Sequence, residues 1–188
     1  MPRTPAIKGL SLRNFAVFVS DYLRRNGVET ILSGGACVAI YTKNKYMSLD
    51  LDLVLAASTD YQKAKEALEA IGFLQKGRYF VHGDTRFFID FVPPPASIGE
   101  EPVKEVAEIK KGKKTLRLLS VTDCVKDRLA AFYHWEDRQA LEQAVLVALA
   151  HPTGLKEVRR WSRAEGMIEK YGIFLKRLKT RSSRSRRP

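Results

Sequence analysis

The run Ser33-Gly34-Gly35, followed by a short apolar stretch and then Ser48-Leu49-Asp50-Leu51-Asp52-Leu53, decides the reading of this chain. Val28 to Leu32 reads as a short strand leading into the serine and glycines, Ala36 to about Thr42 as a helix, and Leu49 to Leu55 as a second strand that starts in strict alternation. Side chains two apart on a strand share a face, so Asp50 and Asp52 point the same way with Cα atoms about 6 to 7 Å apart. Leu49, Leu51 and Leu53 take the opposite face, the natural core face. Two adjacent carboxylates repel each other and are costly in an apolar setting. A divalent cation relieves both problems, and carboxylate oxygens suit hard Mg2+ or Mn2+ rather than zinc.

A third carboxylate stands in Phe87-Phe88-Ile89-Asp90-Phe91-Val92, where Asp90 is the lone charge in an apolar strand. Burial there calls for a lysine, an arginine or a metal as partner. With that strand beside the Asp50/Asp52 strand, three aspartates converge into a ligand set suited to in-line displacement at phosphorus. The glycine pair fits the same picture. Glycines between a strand and a helix N-terminus let the backbone approach a phosphate, the helix end presents free N–H groups, and Ser33 adds a hydroxyl. The glycine-lysine-serine/threonine ending of a Walker A loop is missing, which excludes a P-loop.

Around this segment lie 188 residues, 45% hydrophobic and 29% charged, the balance of an ordinary globular domain rather than a disordered chain. The longest apolar run, Ala144 to Ala150, is far short of a bilayer span, and Met1 to Leu10 lacks the apolar core of a signal peptide. Two cysteines, Cys37 and Cys124, make neither a disulfide framework nor a metal cluster, so a cytoplasmic protein with reduced thiols and no membrane contact is expected. The net charge is +12; seven basic residues and no acid fall between Lys176 and Pro188, which leaves +5 on the rest. That end is read as a disordered basic tail, serving either as a nucleic-acid-binding arm or as a solubilising segment.

Further elements follow from periodicity. A helix begins after Ser11, with Phe15, Phe18, Val19 and Leu23 on one face and Gly27 as its stop. Thr59 to Ile71 reads as an amphipathic helix closed by Gly72. Phe73 to Gln75, Tyr79 to His82 and Arg86 to Val92 read as strands, ended by Pro93-Pro94-Pro95. Lys104 to Ile109 and Lys114 to Leu119 form a hairpin. From Ser120, which caps with Asp123, the pattern is helical: to about His134, then Asp137 to Ala150 with Leu141, Val145 and Leu149 on one face, then two more helices to about Lys179. The expected class is α/β (α+β), a small mixed sheet with flanking helices. The α/β core covers residues 1–119, a helical subdomain 120–179 and the tail 180–188.

Taken together, Ser33-Gly34-Gly35, a short helix, Ser48-Leu49-Asp50-Leu51-Asp52-Leu53 and the later strand acid Asp90 resemble the nucleotidyltransferase (polymerase β-like) superfamily. Within it the chain looks most like the minimal bacterial enzymes related to AbiEii toxins, in which a serine precedes the aspartate pair as Ser48 does here. The resemblance covers roughly residues 28 to 150. It implies that Asp50, Asp52 and Asp90 are catalytic and hold Mg2+ or Mn2+, that Ser33, Gly34, Gly35 and Ser48 belong to the nucleotide-binding site, and that Lys126 touches phosphate or positions the nucleotide. Two departures from the family pattern are a loop of fourteen residues between Gly35 and Asp50 and an alanine, Ala36, after the second glycine.

The expected function is therefore transfer of a nucleoside monophosphate from an NTP to an acceptor, with tRNA or another RNA and a protein hydroxyl as rival acceptors. A toxin role would bring an antitoxin partner. The alternative is an inactive module of the same fold that binds nucleic acid through its basic surface. Asp127 and Arg138 are read as salt-bridge residues, Tyr133-His134-Trp135 as an interhelical aromatic cluster, Cys124 as core, and Trp161 with Arg159, Arg160 and Arg163 as a basic helix face. His82 and His151 have no ligand partner at metal spacing.

Overall fold

A computed structural model describes residues 7–56, 61–94 and 96–185. Its order is α1 (Leu12–Arg25), β1 (Thr30–Ser33), α2 (Gly34–Tyr41), β2 (Asp50–Leu55), α3 (Tyr61–Glu69), β3 (Leu74–Lys76), β4 (Tyr79–Val81) and β5 (Phe88–Val92). Then come β6 (Ser97–Ile98), β7 (Glu101–Pro102), β8 (Val106–Lys111), β9 (Lys114–Leu119), α4 (Val121–Trp135), α5 (Arg138–Ala150), α6 (Leu155–Ala164) and α7 (Ile168–Ser185). Seven strands form one mixed sheet in the order β3-β4-β5-β2-β1-β9-β8, and β6 and β7 pair as a separate small hairpin. The α/β expectation, a mixed sheet followed by helices, is what the chain forms.

Alternation explains which sheet face is dry. Leu51, Leu53, Ile89, Phe80 and Leu32 are fully buried, while Asp50 and Asp52 lie half-buried on the other side of β2. Leu49, expected to join the core face, is exposed because β2 begins one residue later. Helix α1 brings Phe15, Val19 and Leu23 into the core, where the Phe15 ring stacks on Phe87 at 5.4 Å. Each such large apolar side chain contributes roughly 1.5–3 kcal/mol on leaving water. Ser11 caps α1 by accepting from the Asn14 N–H, and Ser120 caps α4 by accepting from Asp123 N–H, both at the expected places.

The change from sheet to helices falls at Ser120 as expected, yet the apolar core runs without a break from the strands into α4–α7. Tyr133 stacks on Trp161 at 5.5 Å, and the Trp161 indole N–H donates to the Ile98 carbonyl, which ties α6 to the β6–β7 hairpin. Trp161 is thus a core residue rather than part of an exposed basic face, and Tyr133 packs between helices as read. Trp135, the last residue of that cluster, is exposed. Leu149, assigned to the inner face of α5, is more than a third exposed.

The basic end departs from expectation. α7 continues to Ser185, past Lys179, and Arg177 and Arg181 both pair with Glu142 on α5. An acid on the neighbouring helix gives these arginines a partner that composition alone does not reveal. The rest of the expected tail, 186–188, lies outside the described residues, as do Thr59, Asp60 and Pro95 from the segments read above and residues 1–6 at the start. No described helix is long and apolar enough to cross a membrane.

Candidate active site

β1 ends at Ser33, and the turn into α2 passes against β2. Gly34 has φ = +65°, in the left-handed region, and a Cβ at this position would overlap the Asp52 carboxylate. Glycine alone meets both demands at little cost. Ser33 lies opposite Asp52 in the antiparallel β1–β2 ladder, and its hydroxyl donates to the Asp52 carbonyl at 3.3 Å. The N-terminus of α2, with its free N–H groups, is thereby set against the acid of the next strand.

The acids are brought together by register. β2 and β5 are parallel, with Asp50 opposite Phe88 and Asp52 directly opposite Asp90. Paired residues on neighbouring strands project to the same side, so Asp50, Asp52 and Asp90 occupy one face. Ser48 is buried and donates through its hydroxyl to the Asp50 carboxylate and, at 3.3 Å, to the Asp50 carbonyl. Asp90 is 4% exposed, and its carboxylate is held by the guanidinium of Arg78 from the β3–β4 turn. Among the described residues no three acid, imidazole or thiol groups are arranged as a metal cage. The expected three-acid set is thus assembled as neighbours on the sheet, with Asp90 engaged by an arginine.

Burial and the nearby Asp50 push the Asp52 carboxyl up to about 6; Arg128 opposes this, while Asp90 and Asp127 add to it. Arg128 projects from α4 and donates to Asp127 through Nε at 2.8 Å and Nη2 at 2.6 Å, and through Nη1 to Gln143 at 3.4 Å. Burial opposes its charge, and Asp127, Cys124 and Asp52 more than offset this, so its pKa rises. Tyr46, in the loop before β2, is also raised, by burial and then by Asp50, with Arg128 opposing. A cleft of about 440 Å³ opens beside Ser48 and is lined also by Asn44, Met47, Thr85 and Arg86.

Lys126 lies elsewhere. Two residues from Arg128 on the same helix, it points to a different side and donates to Glu157 of α6 at 2.8 Å, with Asp123 at 3.5 Å. Arg128 is therefore the α4 cation directed toward the acids, and Lys126 braces α4 against α6. Arg78 also escaped the sequence reading: it sits in a Lys76-Gly77-Arg78 turn whose pattern says nothing about where its side chain reaches. Asp127 has the salt-bridge role read for it, with Arg128 as partner. His151 bonds the Tyr41 carbonyl at 2.7 Å, and His82 packs on Phe73. Cys37 and Cys124 are buried free thiols.

The seven-stranded mixed sheet and its flanking helices form a fold similar to that of a solved nucleotidyltransferase-like protein. The solved structure of an antigenic nucleotidyltransferase-like protein from Paracoccidioides brasiliensis matches 89% of this chain and 92% of its own, with a TM-score of 0.61 at 13% identity. The antibiotic-resistance factor ANT(2'')-Ia is similar over 90% of this chain and 94% of its own at 12% identity, with a TM-score of 0.49. No protein-family model matches the chain, and no curated protein matches it. At such identities the likeness is one of fold.

Proposed function

We propose that the chain transfers a nucleoside monophosphate from an NTP to an acceptor hydroxyl. The observation that carries this reading is the register of Asp52 with Asp90, with Asp50 on the same face and the Gly34 turn against Asp52. The donor chemistry fits a divalent cation: Asp50, Asp52 and Asp90 share one sheet face, and burial, then the nearby Asp50, hold the Asp52 proton up to about 6. Asp50 and Asp52 would hold Mg2+ or Mn2+, and Asp90 would join them once Arg78 withdraws. The ion supplies positive charge that offsets the phosphates and acidifies the acceptor hydroxyl.

The chain's own residues do the rest. The α2 N-terminus with Gly34, Gly35 and Ser33 holds the triphosphate through N–H groups, and Ser48 fixes the orientation of Asp50. Asp90 takes the acceptor proton. The acceptor oxygen forms a bond to the α-phosphorus, the bond from that phosphorus to the bridging oxygen breaks, and pyrophosphate leaves. Lys126, bound by Glu157 and Asp123, has a bracing role in this reading, and Arg128 balances charge at Asp52.

Both RNA, such as tRNA, and a protein hydroxyl are chemically suitable acceptors. The Ser48-Leu49-Asp50 run supports the AbiEii-like subgroup, and with it a toxin restrained by an antitoxin partner. The grip of Arg78 on Asp90 favours a second reading, an inactive module that uses the same fold to bind nucleic acid. Thermal stability separates them. Mn2+ with the correct NTP is expected to raise the melting temperature of the wild type and not of the Asp50→Asn/Asp52→Asn double variant. No shift with any metal–NTP pair would leave the inactive module as the reading.

A further inference from the structure

Beside the acids lies a surface that the core does not need. Tyr79 is opposite Asp90 in the antiparallel β4–β5 ladder, and Phe88 is opposite Asp50 in the β2–β5 ladder. Both rings therefore stand on the acid face of the sheet, 4.9 Å apart and edge to face. Tyr79 is 37% exposed, and the Arg78 side chain is 68% exposed. The Arg78 guanidinium reaches from Asp90 to lie over the Tyr79 ring at 5.1 Å. An exposed aromatic ring, a mobile-length cation and a buried acid thus share one small area.

We propose that Arg78, Tyr79 and Phe88 form the acceptor subsite, and that its occupant is the 3′-terminal nucleotide of a single-stranded nucleic acid. This rests on the transfer reading and names the acceptor for it. The three features of the ledge ask for three features in one ligand: a flat ring to stack on Tyr79, an anion to engage Arg78 and a hydroxyl within reach of Asp90. A terminal nucleotide carries base, phosphate and hydroxyl together, whereas a serine or threonine of a protein offers the hydroxyl alone. A net charge of +12 favours a polyanion. Arg78 also couples arrival to reaction: an incoming phosphate draws the guanidinium from Asp90, which frees that carboxylate when the acceptor hydroxyl is in place.

The test uses the full chain and a short 5′-fluorescein-labelled single-stranded RNA, its DNA counterpart, and the same RNA with an abasic 3′-terminal residue. Binding is read by fluorescence anisotropy, and donor binding separately by the Mn2+–NTP thermal shift. Tyr79→Ala is expected to weaken RNA binding by about ten- to a hundredfold, the range of one lost base stack. Tyr79→Phe keeps the ring and retains affinity; Arg78→Ala weakens binding and, by leaving the buried Asp90 carboxylate without its cation, also lowers the melting temperature, so Arg78→Lys, which keeps the charge, is measured beside it and is expected to restore most of the affinity. The abasic RNA binds wild type as weakly as intact RNA binds Tyr79→Ala. Binding of both intact RNA and DNA, or of one of them, supports a nucleotide end and tells which sugar it carries. The proposal falls if wild type binds neither strand, if Arg78→Ala and Tyr79→Ala bind like wild type, or if removing the terminal base changes nothing. Because the donor shift is read independently, an intact shift with these results overturns the acceptor assignment alone, and a missing shift overturns the transfer reading.

Discussion

At Asp52, burial and the neighbouring Asp50 and Asp90 act against the charged form and hold its pKa near 6, against 3.8 for a free side chain. The folded state therefore binds this proton more tightly than the unfolded state, and stability falls as pH rises between about 4 and 6. Above that window the penalty is complete and on the order of 2–3 kcal/mol. Asp52→Asn removes it. In urea without divalent cations, this variant is expected to unfold later than wild type at pH 7 and at nearly the same concentration at pH 4; an equal midpoint at both pH values would show that Asp52 carries no such strain. Gly34→Ala is expected to act in the opposite direction. It forces a left-handed backbone on alanine and drives a methyl group into Asp52, costing about 1–3 kcal/mol and abolishing the Mn2+–NTP shift. Differential scanning fluorimetry reads both effects.

α4 shows what a helix contributes and how much of it could be read beforehand. Its start at Ser120 was legible because a serine three residues before an acid marks a cap, and Ser120→Ala is expected to lower unfolding stability by about 1 kcal/mol in chemical denaturation. Lys126→Ala leaves Asp123 and Glu157 without their shared cation and is expected to cost about 2 kcal/mol while leaving the Mn2+–NTP shift unchanged. A lost shift would return Lys126 to the nucleotide. The choice between Lys126 and Arg128 was not legible, because the rotation of a helix about its axis is set by its neighbours and both residues belong to one charged run. In the strands, alternation placed Asp50 and Asp52 on one face correctly. That Asp90 stands beside Asp52 depended on β5 choosing β2 as its parallel neighbour, a long-range pairing without local signature. Arg78 was hidden for the same reason, since a turn residue's reach depends on which strand lies below it.

For the molecule as a whole, the excess of positive charge concentrates on α7, where Arg177 and Arg181 are partly answered by Glu142. Such exposed pairs contribute at most about 1 kcal/mol each. Truncation after Thr180 removes Arg181, Arg184, Arg186 and Arg187 and should leave melting nearly unchanged. It should flatten the dependence of single-stranded RNA affinity on salt by up to about 3 in the slope of log K against log salt, if all four meet phosphate. An unchanged slope, measured by anisotropy titration across salt concentrations, would place the phosphate contacts elsewhere on the surface.

The position of β1 in the sheet has a consequence for how the molecule is made. One edge of β1 is satisfied by β2, close in sequence, but the other pairs with β9 through Leu32 and Leu118, nearly half the chain away. During synthesis the acid-bearing strands β2 and β5 can meet well before β9 leaves the ribosome. Until then β1 is an open edge of apolar sequence, able to pair with the wrong strand of the same or another chain. Contacts of such sequence separation also slow folding. The half-made protein therefore presents its crowded carboxylates before the helix that brings Arg128 exists, and the chain from β9 onward closes the sheet and supplies the charge that its centre lacks.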